Sequence, residues 1–213
     1  MKKLSRGQLA TLVILAVILL DQCVKIAVKT NMYLGESIDV TSWFKIAFIE
    51  NNGAAFGMEL GSKLFLTIFR IIASVVLGYA IYYLCKRPRY TMGFIACVAL
   101  IEAGAIGNII DCMFYGIIFN APSPTEVAVL FPEGGGYAPF FYGRVVDMLY
   151  FPLFSFYWPD WMPVVGGEYF EFFRPIFNIA DSAICVGVAI ILLFYYKQLA
   201  SDEPKETTPA ENK

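Results

Sequence analysis

Two short strings place an asparagine three residues ahead of an aspartate: Asn108 with Asp111, and Asn178 with Asp181. On a helix that spacing puts both side chains on one face, so each amide can orient its carboxylate or a bound peptide backbone. Asp21 and Lys25 are four apart and can form a same-face ion pair or orient a substrate. Arg70 and Glu102 add a cation and a further carboxylate within apolar surroundings; Arg70 reads as a neutralising partner or a catalytic group, and Glu102 as a hydrogen-bonding group or a proton relay. Histidine is absent from all 213 residues, which removes imidazole-based serine and cysteine triads and most zinc sites. The five cysteines (Cys23, Cys85, Cys97, Cys112 and Cys185) show no C-x-x-C spacing, so neither a zinc ribbon nor a disulfide framework is indicated. The chemistry left to this chain is acid–base work by carboxylates, hydroxyls, thiols and cations, with no metal or cofactor expected.

The elements that must position these groups are membrane helices. Apolar residues make up 58% of the chain and charged residues only 16%, a composition outside the soluble range. The net charge of −2 gives no electrostatic case for a nucleic-acid partner. Four apolar windows of spanning length are expected at Gln8–Val28, Leu64–Leu84, Tyr90–Asp111 and Pro175–Tyr196. The first is read as a retained helix, since no A-x-A-like cleavage site follows it. Lys2, Lys3 and Arg6, then Lys86, Arg87 and Arg89, then Lys197 flank the spans on one side, which predicts cytoplasmic termini. The fold expected is therefore an all-α membrane protein, a single four-helix domain over residues 1–200 with exterior segments 29–62 and 112–174 and a disordered tail 201–213. Ile38 to Glu50, rich in β-branched and aromatic residues, predicts a small extracytoplasmic β element. Segment 112–174 is crowded with aromatics and is expected on the outer bilayer interface.

At about 1.5 Å per residue, Asp21, Arg70, Asn108, Asp111, Asn178 and Asp181 all fall within about two turns of the outer surface. Ionisable groups at that depth normally face the bundle interior, where they pair or act. Gly104 and Gly107 read as close-packing positions for a neighbouring helix. Arg174 reads as an interfacial anchor or as a ligand for an acidic group.

Several segments resemble one family. Asn51-Asn52-Gly53-Ala54-Ala55-Phe56-Gly57, Gly107-Asn108-Ile109-Ile110-Asp111, Gly143-Arg144-Val145-Val146-Asp147 and Phe177-Asn178-Ile179-Ala180-Asp181 are similar, in order, to motifs of lipoprotein signal peptidases. Asp21 through Lys25 resembles the end of the family's first helix. The resemblance implies an aspartic endopeptidase of the bacterial inner membrane, working as a monomer near the extracytoplasmic face, with Asp147 and Asp181 as catalytic pair. It implies site support or substrate binding by Asp21, Lys25, Asn51, Gly53, Asn108, Asp111 and Asn178. The implied substrate is a lipid-modified prolipoprotein held in membrane lipid and cut on the amino side of its diacylglyceryl cysteine. The chain departs from the pattern at Cys112, where the family usually carries arginine, and Arg144 or Arg174 is the candidate replacement for that cation. The spacings from Asp111 to Asp147 and on to Asp181 are also longer than usual. Two aspartates in a poorly hydrated site share one proton, so one acts as base and the other as acid, without histidine or metal. A proton-coupled transporter would also gather carboxylates and arginine in a small bundle, but it needs a polar path through both membrane halves.

Overall fold

The computed structural model describes residues 4–52 and 63–200. The expectations for Gly53 and for the tail 201–213 lie outside the described residues. Helix α1 (Arg6–Asn31) starts at Ser5, whose hydroxyl accepts from the Gln8 amide while Gln8 reaches back to the Ser5 amide, a capping box. Strands β1 (Ser37–Thr41) and β2 (Phe44–Asn51) follow, then α2 (Lys63–Cys85). Helix α3 (Met92–Ile110) is capped by Thr91 and runs on through a π-helical stretch, Asp111–Tyr115, into the short α4 (Gly116–Ile118). After β3 (Val145–Tyr150), β4 (Phe154–Tyr157) and β5 (Tyr169–Phe172), the chain closes with α5 (Ile179–Phe194) and α6 (Tyr196–Ala200).

Three helices, Arg6–Asn31, Lys63–Cys85 and Met92–Ile118, are long and apolar enough to cross a membrane. The fourth expected span, Pro175–Tyr196, is a shorter apolar helix of 16 residues. Its start is displaced because Phe177 pairs with Leu149 and Asn178 caps the first turn. Arg6 donates to the Arg87 and Pro88 carbonyls, and Gln198 exchanges hydrogen bonds with Thr91. The basic segments of the sequence therefore meet at one end of the bundle, and the Asn/Asp pairs gather at the other.

Helix α3 is the core of the bundle, with Ile95, Ala99 and Ala103 fully buried. Gly104 and Gly107 act as expected: a Cβ at Gly104 would run into the Ala180 carbonyl, and one at Gly107 would meet Asp21 and Ala180. The outer faces of α1 and α2 leave Leu12, Leu15, Leu19, Phe69 and Val75 exposed, as lipid-facing helices do.

The expected β element is present as β1 and β2, but it is part of a three-stranded antiparallel sheet in the order β1-β2-β3. The third strand lies inside segment 112–174, which the sequence presents only as an aromatic interfacial stretch. That segment also forms an antiparallel hairpin, β4–β5. A second core seals the sheet to the bundle through Val28, Phe48, Tyr115, Phe119, Val146 and Met148.

Candidate active site

Strand β3 presents Asp147 and the first turn of α5 presents Asp181. Two amides connect them. The Asn178 side chain caps α5 by accepting from the Asp181 amide at 2.9 Å, and its NH2 group lies 2.7 Å from Asp147 Oδ1 and 3.1 Å from Asn108 Oδ1. Asn108, on α3, donates in turn to Asp181 Oδ1 at 2.8 Å. On the far side of Asp147, Asn51 at the end of β2 donates to Oδ2 at 3.2 Å. Asp147 is buried and Asp181 half-buried. Burial, and then the charge of Asp181, push the Asp147 carboxyl from the ordinary carboxylate range up to about 7, against the opposing pull of the Asn51 and Asn178 hydrogen bonds.

Beneath this pair lies a buried ionic floor. Lys25 Nζ sits 2.9 Å from Asp21, 2.8 Å from Asp111 and 3.0 Å from Asn108 Oδ1. Gln22 donates to Asp21, Asp111 and the Gly107 carbonyl, and itself accepts from Tyr115. Each carboxylate of the floor then holds one element that carries an aspartate of the pair: Asp111 accepts from the Val146 amide of β3 at 3.3 Å, and Asp21 from the Ala180 amide of α5 at 2.9 Å. At most 1% of Asp21, Lys25 or Asp111 is exposed, so these residues position the site and are not open to a substrate.

The cation on Asp111 is Lys25, from α1; Arg144 and Arg174, the candidates to replace the cation missing at Cys112 by holding Asp111 or the substrate backbone, lie elsewhere. Arg144 pairs with Glu50 at 2.9 Å, and Arg174 is exposed in the link between β5 and α5. Arg70, expected opposite a carboxylate, places Nη1 3.2 Å from the Cys112 thiol. Glu102 accepts from Ser74 at 2.8 Å, deep between α2 and α3, as a hydrogen-bonding group.

Sequence reasoning missed Gln22, Lys29, Glu50, Tyr115 and Tyr137. The buried Lys29 pairs with the buried Glu50 carboxylate and is ringed by Phe48, Phe119 and Tyr137. Arg144 reaches the same carboxylate, and its backbone amide donates to Tyr137. These contacts fix the Glu50–Val146 register next to Asn51 and Asp147. A signal for Lys29 was present, because Asp21, Lys25 and Lys29 form one stripe at i, i+4, i+8.

Apolar helices that carry, at one mouth, two carboxylates bridged by amides define a membrane aspartic peptidase by class. The profile of the family described as signal peptidase (SPase) II matches residues 13–197. The chain is 50% identical over 198 residues to the lipoprotein signal peptidase of Porphyromonas gingivalis strain W83, covering 92% of this chain and 86% of that one. It is 38% identical over 186 residues to that of Amoebophilus asiaticus, covering 84% and 74%. A bacterial membrane enzyme solved by the in meso method at 2.3 Å superposes with a TM-score of 0.60 at 26% identity, covering 93% of this chain and 94% of the other. The chain belongs to the signal peptidase II family. The transporter reading finds no support among these relatives.

Proposed function

We propose that this chain removes the signal peptide of diacylglyceryl-modified prolipoproteins by cutting on the amino side of the lipidated cysteine, with Asp147 and Asp181 as the catalytic pair. The observation that carries this reading is the amide-linked pair of carboxylates, one on a strand and one on a helix, at the polar mouth of an apolar bundle. Asp147, with its raised affinity for a proton, serves as the acid, and Asp181 as the base. Asp181 takes a proton from water as the water oxygen bonds to the scissile carbonyl carbon, while Asp147 gives its proton to the carbonyl oxygen. The tetrahedral intermediate collapses: the C–N bond breaks, the leaving amine takes the proton held by Asp181, and Asp147 takes back one hydroxyl proton of the intermediate, which leaves the carboxylic acid and restores the starting pair. Asn51, Asn108 and Asn178 hold the two carboxylates, and Asp21, Lys25 and Asp111 hold the elements that carry them.

In this reading four helices span the bacterial inner membrane, with the basic end of the bundle in the cytoplasm and the site at the extracytoplasmic face. The monomer carries the whole site, and the diacylglyceryl group of the substrate stays in membrane lipid while the peptide enters from outside. Purified protein incubated with a diacylglyceryl-modified precursor tests the proposal, with product mass as readout. Cleavage before the lipidated cysteine that survives chelator and vanishes in both Asp147→Asn and Asp181→Asn is the expected result. Undiminished cleavage by either variant would remove that aspartate from the mechanism.

A further inference from the structure

The β4–β5 hairpin leaves the chain between the two proposed catalytic residues, and its two faces differ in chemistry. Cross-strand partners are Phe154 with Phe172 and Phe156 with Phe170, which with Trp158 put five aromatic rings on one face. The rings form a continuous ladder: Phe154 stacks on Phe172 at 4.9 Å, Phe156 meets Phe170 at 5.0 Å, and Trp158 meets Phe156 at 4.9 Å. The opposite face carries Ser155, Tyr157, Tyr169 and Glu171. Tyr150, at the end of β3, donates to Glu171, which anchors the polar face to the strand that bears Asp147 and turns the aromatic face away from it. Three of the five rings stand exposed, Phe154 at 53%, Phe156 at 38% and Phe172 at 43%, while Phe170 and Trp158 are half-buried.

The tethers are short. Four chain steps lead from Tyr150 to Phe154 and five from Phe172 to Phe177, spanning at most about 14 and 18 Å. Phe177 is itself paired with Leu149 and immediately precedes the cap of α5. At the base of these tethers a second set of rings stacks, Phe44 on Phe151 at 4.8 Å and Phe151 on Phe177 at 5.6 Å. The ladder is thus held near the level at which the apolar helix α5 begins. Aromatic side chains with an apolar body and a polar opposite face suit the boundary between lipid headgroups and acyl chains.

We propose that the hairpin is a bilayer-docking element that seats its aromatic ladder in the outer-leaflet interface beside the site mouth. The proposal rests on the membrane placement given under the proposed function. Residues 151–173 contain no lysine or arginine but three carboxylates, Asp160, Glu168 and Glu171, so the docking is driven by aromatic burial and is no stronger on anionic than on zwitterionic lipid.

The test uses the full chain with Trp43→Phe and Trp161→Phe, leaving Trp158, in phosphatidylcholine vesicles whose acyl chains are brominated just below the headgroup. Wild-type turnover by this protein establishes that it is folded. Bromolipid should quench Trp158 emission about twofold or more, with aqueous iodide quenching about fivefold weaker than for free tryptophan. A second protein with Val75→Trp as its sole tryptophan probes the lipid-exposed face at the middle of α2, in companion vesicles whose acyl chains are brominated near the bilayer centre. Quenching at Val75→Trp without quenching at Trp158 overturns the docking proposal alone. Absence of quenching at Val75→Trp overturns the membrane placement beneath it. Shielding of Trp158 that appears only on addition of the lipidated precursor assigns the face to substrate and overturns bilayer docking. Hydroxyl-radical footprinting of the unmodified chain in the same vesicles gives an independent reading: Phe154, Phe156 and Phe172 protected while Tyr157 is labelled is the expected pattern, and equal labelling overturns the proposal.

Discussion

Replacing Lys25 by methionine keeps the length of the side chain and removes the single charge on which the site floor converges. The ammonium faces Asp21 at 2.9 Å and Asp111 at 2.8 Å, with no more than 1% of any partner exposed. At an effective dielectric constant of about 20, each contact is worth roughly 6 kcal/mol of attraction, which offsets the cost of burying three ions. Removing the cation leaves two carboxylates sharing one neutral donor, Gln22. Breaking a buried pair from one side typically costs about 3–5 kcal/mol, or roughly 6–20 °C in Tm for a chain of this size. The loss should also reach the chemistry, because Asp111 holds the Val146 amide and Asp21 holds the Ala180 amide. Thermal unfolding in detergent and turnover of a lipidated precursor measure the two effects. The double variant Lys25→Met with Asp111→Asn should recover part of the lost stability, since it removes one of the two stranded charges. A Lys25→Met protein that unfolds within about 1 kcal/mol of wild type, as judged by Tm, would refute the reasoning.

Three further outcomes follow from the geometry. Turnover should fall as pH rises through about 7, where Asp147 loses the proton that the acid role requires, to about a tenth of its plateau one unit higher; a rate that stays flat across this range contradicts the assignment. The same raised value means that folding stability declines as pH rises from the unfolded carboxylate value toward about 7, so Asp147→Asn should melt higher than wild type at pH 8 although inactive. Glu50→Gln, which releases Lys29 and Arg144 beside Asn51, should lower kcat about tenfold with KM little changed, and should move the alkaline limb upward as the Asn51 hydrogen bond to Asp147 weakens; an unchanged pH profile would reduce Glu50 to a stabilising role. Cys112→Arg, in place of restoring a missing cation, should cost about 1–3 kcal/mol, because position 112 is buried and already faces the Arg70 guanidinium; a Tm at or above that of wild type would show that the pocket has room.

The three long helices were legible because twenty or so apolar residues bounded by cations specify a membrane helix with little outside help. The Asn108/Asp111 and Asn178/Asp181 pairs were legible for a similar reason, since a helical spacing of three fixes a shared face. Strand β3 was not, because its pairing partner β2 lies about a hundred residues away, and only that partner makes Val145–Tyr150 a strand. The cation on Asp111 was hidden by the same distance. Asp21 and Lys25 announce themselves as a local pair, but nothing within one helix tells that the same ammonium also reaches Asp111 on another. Cys112 itself faces a cation from α2, Arg70, a pairing that spacing along the chain does not show.

Helix α3 itself explains why a cysteine fits where it does. The π-helical stretch opens at Asp111, where the turn is wound wider than in the α-helix before it. Asp111 is 0% and Cys112 2% exposed, because α3 is packed on several sides here as it is at Gly107, Asn108 and Ile109. Asp111 turns to Lys25 and the β3 amide, while Cys112 turns to Arg70 on α2. The Cys112 carbonyl then accepts from Gly143, where a Cβ would collide with the Asp111 carbonyl, so the chain leading into β3 lies directly against the π stretch. One distorted turn thus fastens the ionic floor, helix α2 and the approach to β3, the strand that carries Asp147. The geometry of the proposed catalytic pair is set by this turn on one side and by the Asn178 cap on the other, two local features that become informative only when the helices and strands they join are in place.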